Sequence, residues 1–175
     1  MKKIFTVFIL TIILSANFQL NQAVAQRPMH ELHAMLIFNF IKYVEWPEAS
    51  KSGDFIIAVY GDSGVFDELN KLYGGGKSIK GQTVKMVNAS SVADLKKAHL
   101  IYLADNKSGD FQEILSGNNG SPTLLVTDKN GLGEKGSNIN FKTVGGKLKF
   151  EINQSAFDKN NLKVSSSLLS MAIVI

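Results

Sequence analysis

Two apolar runs open the chain, and they differ in what surrounds them. The first, Ile4 to Leu14, follows Lys2 and Lys3 and precedes a polar stretch ending in the small-residue pattern Ala23-Val24-Ala25. A basic start, a short apolar centre and small residues before a cut are the pattern of a secretory signal peptide, and cleavage is expected after Ala25. The apolar centre falls short of the roughly 20 residues that a bilayer-spanning helix needs. The second run, His30 to Trp46, holds no Gly or Pro and is expected to be a helix stopped by Pro47, because the residue before a proline is biased away from the α region.

Beyond Pro47 the periodicity alternates between strand and helix. Asp54 to Tyr60 (DFIIAVY) is a near-continuous apolar run, as expected of a strand covered on both faces. Val65 to Tyr73 is expected to be helical, closed by Gly74 to Gly76. Thr83 to Val87 follows as a strand, Ser91 to Lys97 as a short helix, His99 to Leu103 as a strand, Gly109 to Leu115 as a helix and Pro122 to Thr127 as a strand. Strands alternating with helices predict a mostly parallel sheet with helices on both faces. Asn138 to Thr143 and Lys147 to Asn153 then alternate on either side of Gly145-Gly146, the pattern of an antiparallel hairpin, expected at the sheet edge. A short helix near Gln154 to Asn160 follows. In the closing LKVSSSLLSMAIVI, Ser165 or Ser166 could cap a helix while AIVI is strand-like, so both readings stay open. The fold class is therefore α/β: a Rossmann-like, mostly parallel sheet with flanking helices and a C-terminal antiparallel hairpin. Residues 26–175 are expected to form one domain, since 150 residues are enough for a single core.

Charge narrows the functional classes. With Lys2 and Lys3 set aside, the 19 basic residues become 17 against 15 acidic ones, a balance of +2. No basic block with interleaved aromatics is present, so nucleic acid is not an expected partner. The chain has no cysteine, which removes disulfides, thiol nucleophiles and a lipidated N-terminal cysteine together.

Placed on a helical wheel, Leu36, Phe40, Tyr43, Val44, Ile37 and His33 share one broad face, with Glu31, Lys42 and Glu45 opposite. Met35 and Phe38 fall among the charged residues. They are either ordinary exposed or loop-covered apolar residues, or a partner surface made of Met35, Phe38, Lys42 and Trp46. Trp46 can equally be a plug at the helix exit.

The second apolar run also carries a resemblance. Phe38-Asn39-Phe40-Ile41-Lys42-Tyr43-Val44-Glu45-Trp46-Pro47 resembles the signature of the YfiR-like family, the DUF4154 domain. FIIAVYGDSGVFDEL, Lys80-Gly81-Gln82-Thr83-Val84, HLIYLAD, PTLLVTD, GSNINF, LKFEIN and the closing LKVSSSLLSMAIVI follow in the family's order. The resemblance implies a periplasmic, non-enzymatic α/β regulator that restrains the periplasmic sensor region of an inner-membrane signalling protein, a diguanylate cyclase, and so lowers cyclic di-GMP and biofilm formation. It leaves a homodimer open. Some members tie their regulation to cysteine pairs, a device this chain lacks.

Candidate chemistry is sparse. His30-x-x-His33 with Glu31 offers two ligands at helical spacing but no third, so no metal and no cofactor are expected. His99 opens a strand and is expected to be structural. Ser165 to Ser167 lack the G-x-S-x-G turn of a hydrolase, and no catalytic residue is expected. Gly61-Asp62-Ser63, Ala104-Asp105-Asn106 and Thr127-Asp128-Lys129 each follow a strand directly. In parallel sheets ligands collect at that end, so Asp62, Ser63, Asp105 and Asp128 form a second candidate site, suited to an amino acid or peptide fragment. Turn and cap duty is the plainer explanation of the same residues.

Overall fold

The computed structural model describes residues 27–175; the signal-peptide expectation, with its cleavage after Ala25, lies outside them. Eight strands form one mostly parallel sheet. β2 (Phe55–Tyr60) lies near its middle, paired in parallel with β4 (Gln82–Ala89) on one side and β5 (Leu100–Leu103) on the other. Beyond β5 come β6 (Leu124–Thr127), β7 (Ile139–Val144), β8 (Lys147–Ile152) and β10 (Ile173–Val174), and β3 (Ser78–Ile79) flanks β4. Only β3 with β4 and β7 with β8 run antiparallel in this sheet. The expected hairpin is β7–β8, but it does not form the edge, because β10 adds in parallel outside β8.

Strict alternation along the central strands divides the core in two. Phe55, Ile57 and Val59 of β2, Leu100 and Tyr102 of β5, and Leu124 and Val126 of β6 face one side. There α1 (Met29–Tyr43) and α2 (Ser63–Tyr73) cover them, together with Phe157 of α4 (Gln154–Lys159) and Leu168 of α5 (Ser166–Leu169). Ala58, Tyr60, Ile101, Leu103 and Leu125 face the other side, under Leu95 of a 3-10 turn and Phe111 and Ile114 of α3 (Phe111–Gly117). The period of two thus selects which helix each strand residue meets.

The first helix is shorter than its sequence predicts. α1 ends at Tyr43, and Val44 is extended at φ −103° and ψ 140°. Val44–Glu45 form β1, which pairs antiparallel with β9 (Lys163–Val164), and Ser165 N–H donates to the Tyr43 carbonyl at 3.0 Å. A pairing with residues about 120 positions away replaces the last helical turn. The C-terminal segment resolves into both expected forms: Ser165 Oγ accepts from Leu168 N–H to cap α5, and Ile173–Val174 become β10.

Candidate functional site

β4 and β5 leave β2 in opposite directions, so the strand exits separate beside β2, the place where open α/β sheets make crevices. The three aspartates lie at this end but do different work. Asp62 Oδ1 accepts from Val65 N–H at 3.0 Å, capping α2, and Ser63 is the exposed first residue of that helix. Asp105 pairs with Lys129 at 3.3 Å. Asp105 and Asp128 share a cleft of about 180 Å³ with His33, Lys129 and Lys142, and Asp62 and Ser63 stay off its lining. A drug-sized ligand needs roughly 300 Å³ or more. A larger hollow, about 570 Å³, opens at the opposite end of the sheet near Lys96, His99 and Ile114.

The cleft floor is a buried polar group that the sequence pattern does not reveal. His33, only 2% exposed, lies flat on Phe141 with ring centres 4.3 Å apart. Its Nδ1 is 3.0 Å from the Tyr102 hydroxyl and 3.7 Å from Asp128 Oδ2, and its Nε2 has no partner among the described residues. Burial outweighs the attraction of Asp62 and lowers the His33 pKa to about 4, so the ring is neutral at pH 7. Burial raises Asp128 to about 6, opposed by the hydrogen bond from Tyr102 and reinforced by Asp105 and Asp62. Tyr102 is pushed up by its own burial and held protonated. The helical wheel places His33 toward the core; Tyr102 carries no signal beyond being the polar-tipped residue in an apolar strand.

The α1 stripe is the second candidate surface. Met35 is 46% and Phe38 41% exposed, one turn apart on α1. Phe38 stacks on Tyr73 of α2 with ring centres 5.5 Å apart, and Leu72 beside it is also exposed. Lys42 is exposed too, its ammonium 5.2 Å from the Tyr43 ring centre. Trp46 does not belong to this surface. It is 4% exposed, meets Phe55 edge-on at 5.0 Å and donates its indole N–H to the His99 carbonyl at 3.2 Å. His99 is held equally firmly: Nδ1 accepts from Ile56 N–H, which leaves Nε2 to donate to the Ser50 carbonyl, both near 3.0 Å.

Residues 30–173 match the family model described as DUF4154: YfiR/HmsC-like. The chain belongs to the YfiR/HmsC-like family. Membership supports a periplasmic regulatory role in general. No curated protein matches the chain. Among solved structures it is similar to an ABC domain from Streptococcus pneumoniae, solved in complex with L-Trp, at 16% identity and a TM-score of 0.55. A conserved domain protein from Vibrio cholerae matches at 16% identity with a TM-score of 0.46. Each alignment covers 83% of this chain, and the chain spans about 60% of the length of either structure. At such identity the Streptococcus likeness is one of fold alone. Among the described residues no helix is long and apolar enough to cross a membrane.

Proposed function

We propose that this chain is exported, loses residues 1–25, and docks through α1 on the periplasmic sensor region of an inner-membrane diguanylate cyclase, holding it inactive. The observation that carries the reading is the exposed pair Met35 and Phe38, with exposed Leu72 on the neighbouring helix, Phe38 backed by the buried Tyr73 and Lys42 exposed one turn on. Exposed aromatic and sulfur-bearing side chains on a rigid helix pair suit a hot spot, and a nearby cation suits its rim. Inhibition then needs only tighter binding to the inactive receptor conformation than to the active one. Immobilised chain is expected to capture a diguanylate cyclase from detergent-solubilised membranes of the source cells, and a folded Phe38→Asp variant is not. Equal capture by both, or no cyclase with the wild type, overturns the reading.

A second reading is favoured by the cleft at the strand exits. Asp105 and Asp128 stand there with Lys129 and Lys142, offering both signs of charge to a small zwitterion such as a free amino acid. Free amino acids are expected to raise the melting temperature of the wild type by mass action, and not that of Asp128→Asn. No shift in either chain counts against the cleft without touching the docking reading.

A further inference from the structure

We propose that His30, Glu31 and Glu68 form a site for a divalent transition metal of the zinc class, clipping the first turn of α1 to α2. One ligand atom from each of the three side chains lies within 4.8 Å of the other two, and all three residues are half-buried. Ligands of a tetrahedral zinc at about 2.1 Å sit roughly 3.4 Å apart, so rotamer adjustment that closes each separation by up to about 1.4 Å completes the site. One imidazole with two carboxylates selects zinc and its neighbours over calcium or magnesium, which want all-oxygen shells. Two carboxylates and a neutral imidazole also balance the charge of the ion, and water completes the coordination.

The packing of His30 supports a prearranged site. A Cβ on Gly64 would lie 2.9 Å from His30 Cγ, so the ring rests directly on the first turn of α2. Gly64 and Glu68 are four residues apart and share a helix face, which sets Glu68 one turn beyond the ring. The local charges already converge on one cation. Lys71 donates to Glu68 Oε1 at 2.6 Å. The Lys71 side chain is 68% exposed and free to swing into solvent when an ion takes its place. The sequence expectation of no metal rested on His33 facing the core and on the lack of a third ligand; His33 is buried, and Glu31 with Glu68 of the other helix stand beside His30 in its place.

The site goes beyond the docking reading and does not depend on it, although it bears on the same helices. Met35 follows Glu31 by one turn of α1, and Leu72 follows Glu68 by one turn of α2, so a bound ion would fix the helix pair that carries the exposed stripe.

The test is calorimetric titration of ZnCl2 into the untagged, chelator-treated protein produced by export from its full sequence, with Co2+ absorption reporting the coordination. Wild type is expected to bind one ion and to gain thermal stability. His30→Ala and, independently, Glu68→Gln are expected to weaken binding at least tenfold, while Lys71→Met, which removes the competing ammonium, tightens it. All three changes lie on half-buried or exposed positions, and circular dichroism of the metal-free variants checks that they fold. No binding by the wild type overturns the site, and so does undiminished binding by folded His30→Ala and Glu68→Gln.

Discussion

The His33 imidazole, on the buried face of α1, makes one hydrogen bond, Nδ1 with the Tyr102 hydroxyl at 3.0 Å, while Asp128 Oδ2 stays at 3.7 Å and Nε2 is buried with no partner among the described residues. Tyr102→Phe therefore leaves both ring nitrogens unpaired at a site 2% exposed. It is expected to cost about 1–3 kcal/mol in urea unfolding, the usual penalty for orphaning a buried polar group. Adding His33→Leu removes the orphans and is expected to restore part of that loss. A double variant less stable than Tyr102→Phe alone would show that the stack of His33 on Phe141 matters more than its hydrogen bonding.

Acidification acts on His33 and Asp128 with opposite signs. His33 falls from 6.5 to about 4 on folding, so the unfolded chain takes up the proton first and stability declines as pH drops through that window. Asp128 rises from 3.8 to about 6, so the folded chain takes up the proton first and stability grows as pH drops from about 6 toward 3.8. Asp62 bears on both groups, Asp105 on Asp128 and His30 on His33. The opposed windows are expected to flatten the wild-type profile between pH 6 and 4. Asp128→Asn removes the compensating half, and the variant is expected to lose about 3 kcal/mol between pH 6.5 and 4. Chemical denaturation at several pH values checks this, and parallel profiles for the two proteins would refute it.

Trp46 and Phe38 are expected to separate stability from binding. Trp46 is packed on Phe55 and hydrogen-bonded to the His99 carbonyl, so Trp46→Ala should cost about 3–5 kcal/mol. Phe38 is 41% exposed, so Phe38→Ala should cost no more than about 1 kcal/mol while weakening capture of the membrane partner. A Phe38→Ala variant that unfolds as readily as Trp46→Ala would make the stripe part of the core.

The strands β2, β5 and β6 were legible as short apolar runs that follow turn residues, and α2 was legible from the glycines Gly74 to Gly76 that close it. What escaped depends on partners far along the chain. Val44–Glu45 look helical by pattern, but β9 lies about 120 residues on and offers a ladder in place of the last turn. Asn138 and Asn140 look like outward positions of an edge hairpin, yet both are fully buried. The segment around Gly133 and the added strand β10 cover that face and edge. In the cleft, the aspartates drew notice by following strands, whereas Tyr102 is invisible in an apolar strand and gains its polar partner only because α1 sets His33 above it. Glu68 is equally ordinary on its own helix and gains meaning from His30 and Glu31 on another.

That covered face contains the most crowded glycine contact of the C-terminal half. Glu151 is 2% exposed, accepting from Lys142 at 2.6 Å and from the Asn140 amide at 3.0 Å. Asn140 also accepts from the Thr127 hydroxyl, which Ser137 meets from the other side. A Cβ on Gly133 would lie 2.7 Å from Glu151 Oε2 and 3.0 Å from Ile175 Cδ1. Gly133→Ala must therefore push the carboxylate off a donor or lift the covering segment, and is expected to destabilise by about 1–3 kcal/mol. Gly109→Ala, where nothing lies within 4 Å, should stay within about 0.5 kcal/mol. Glu151→Ala is itself destabilising, because Asn140 and Lys142 lose their acceptor, but it vacates the space the new methyl needs. In that background most of the Gly133→Ala penalty is expected to vanish, and the double-mutant cycle in urea should show a coupling of about 1 kcal/mol or more. Additive effects would mean that the methyl collides with the backbone or with Ile175 and not with the buried carboxylate.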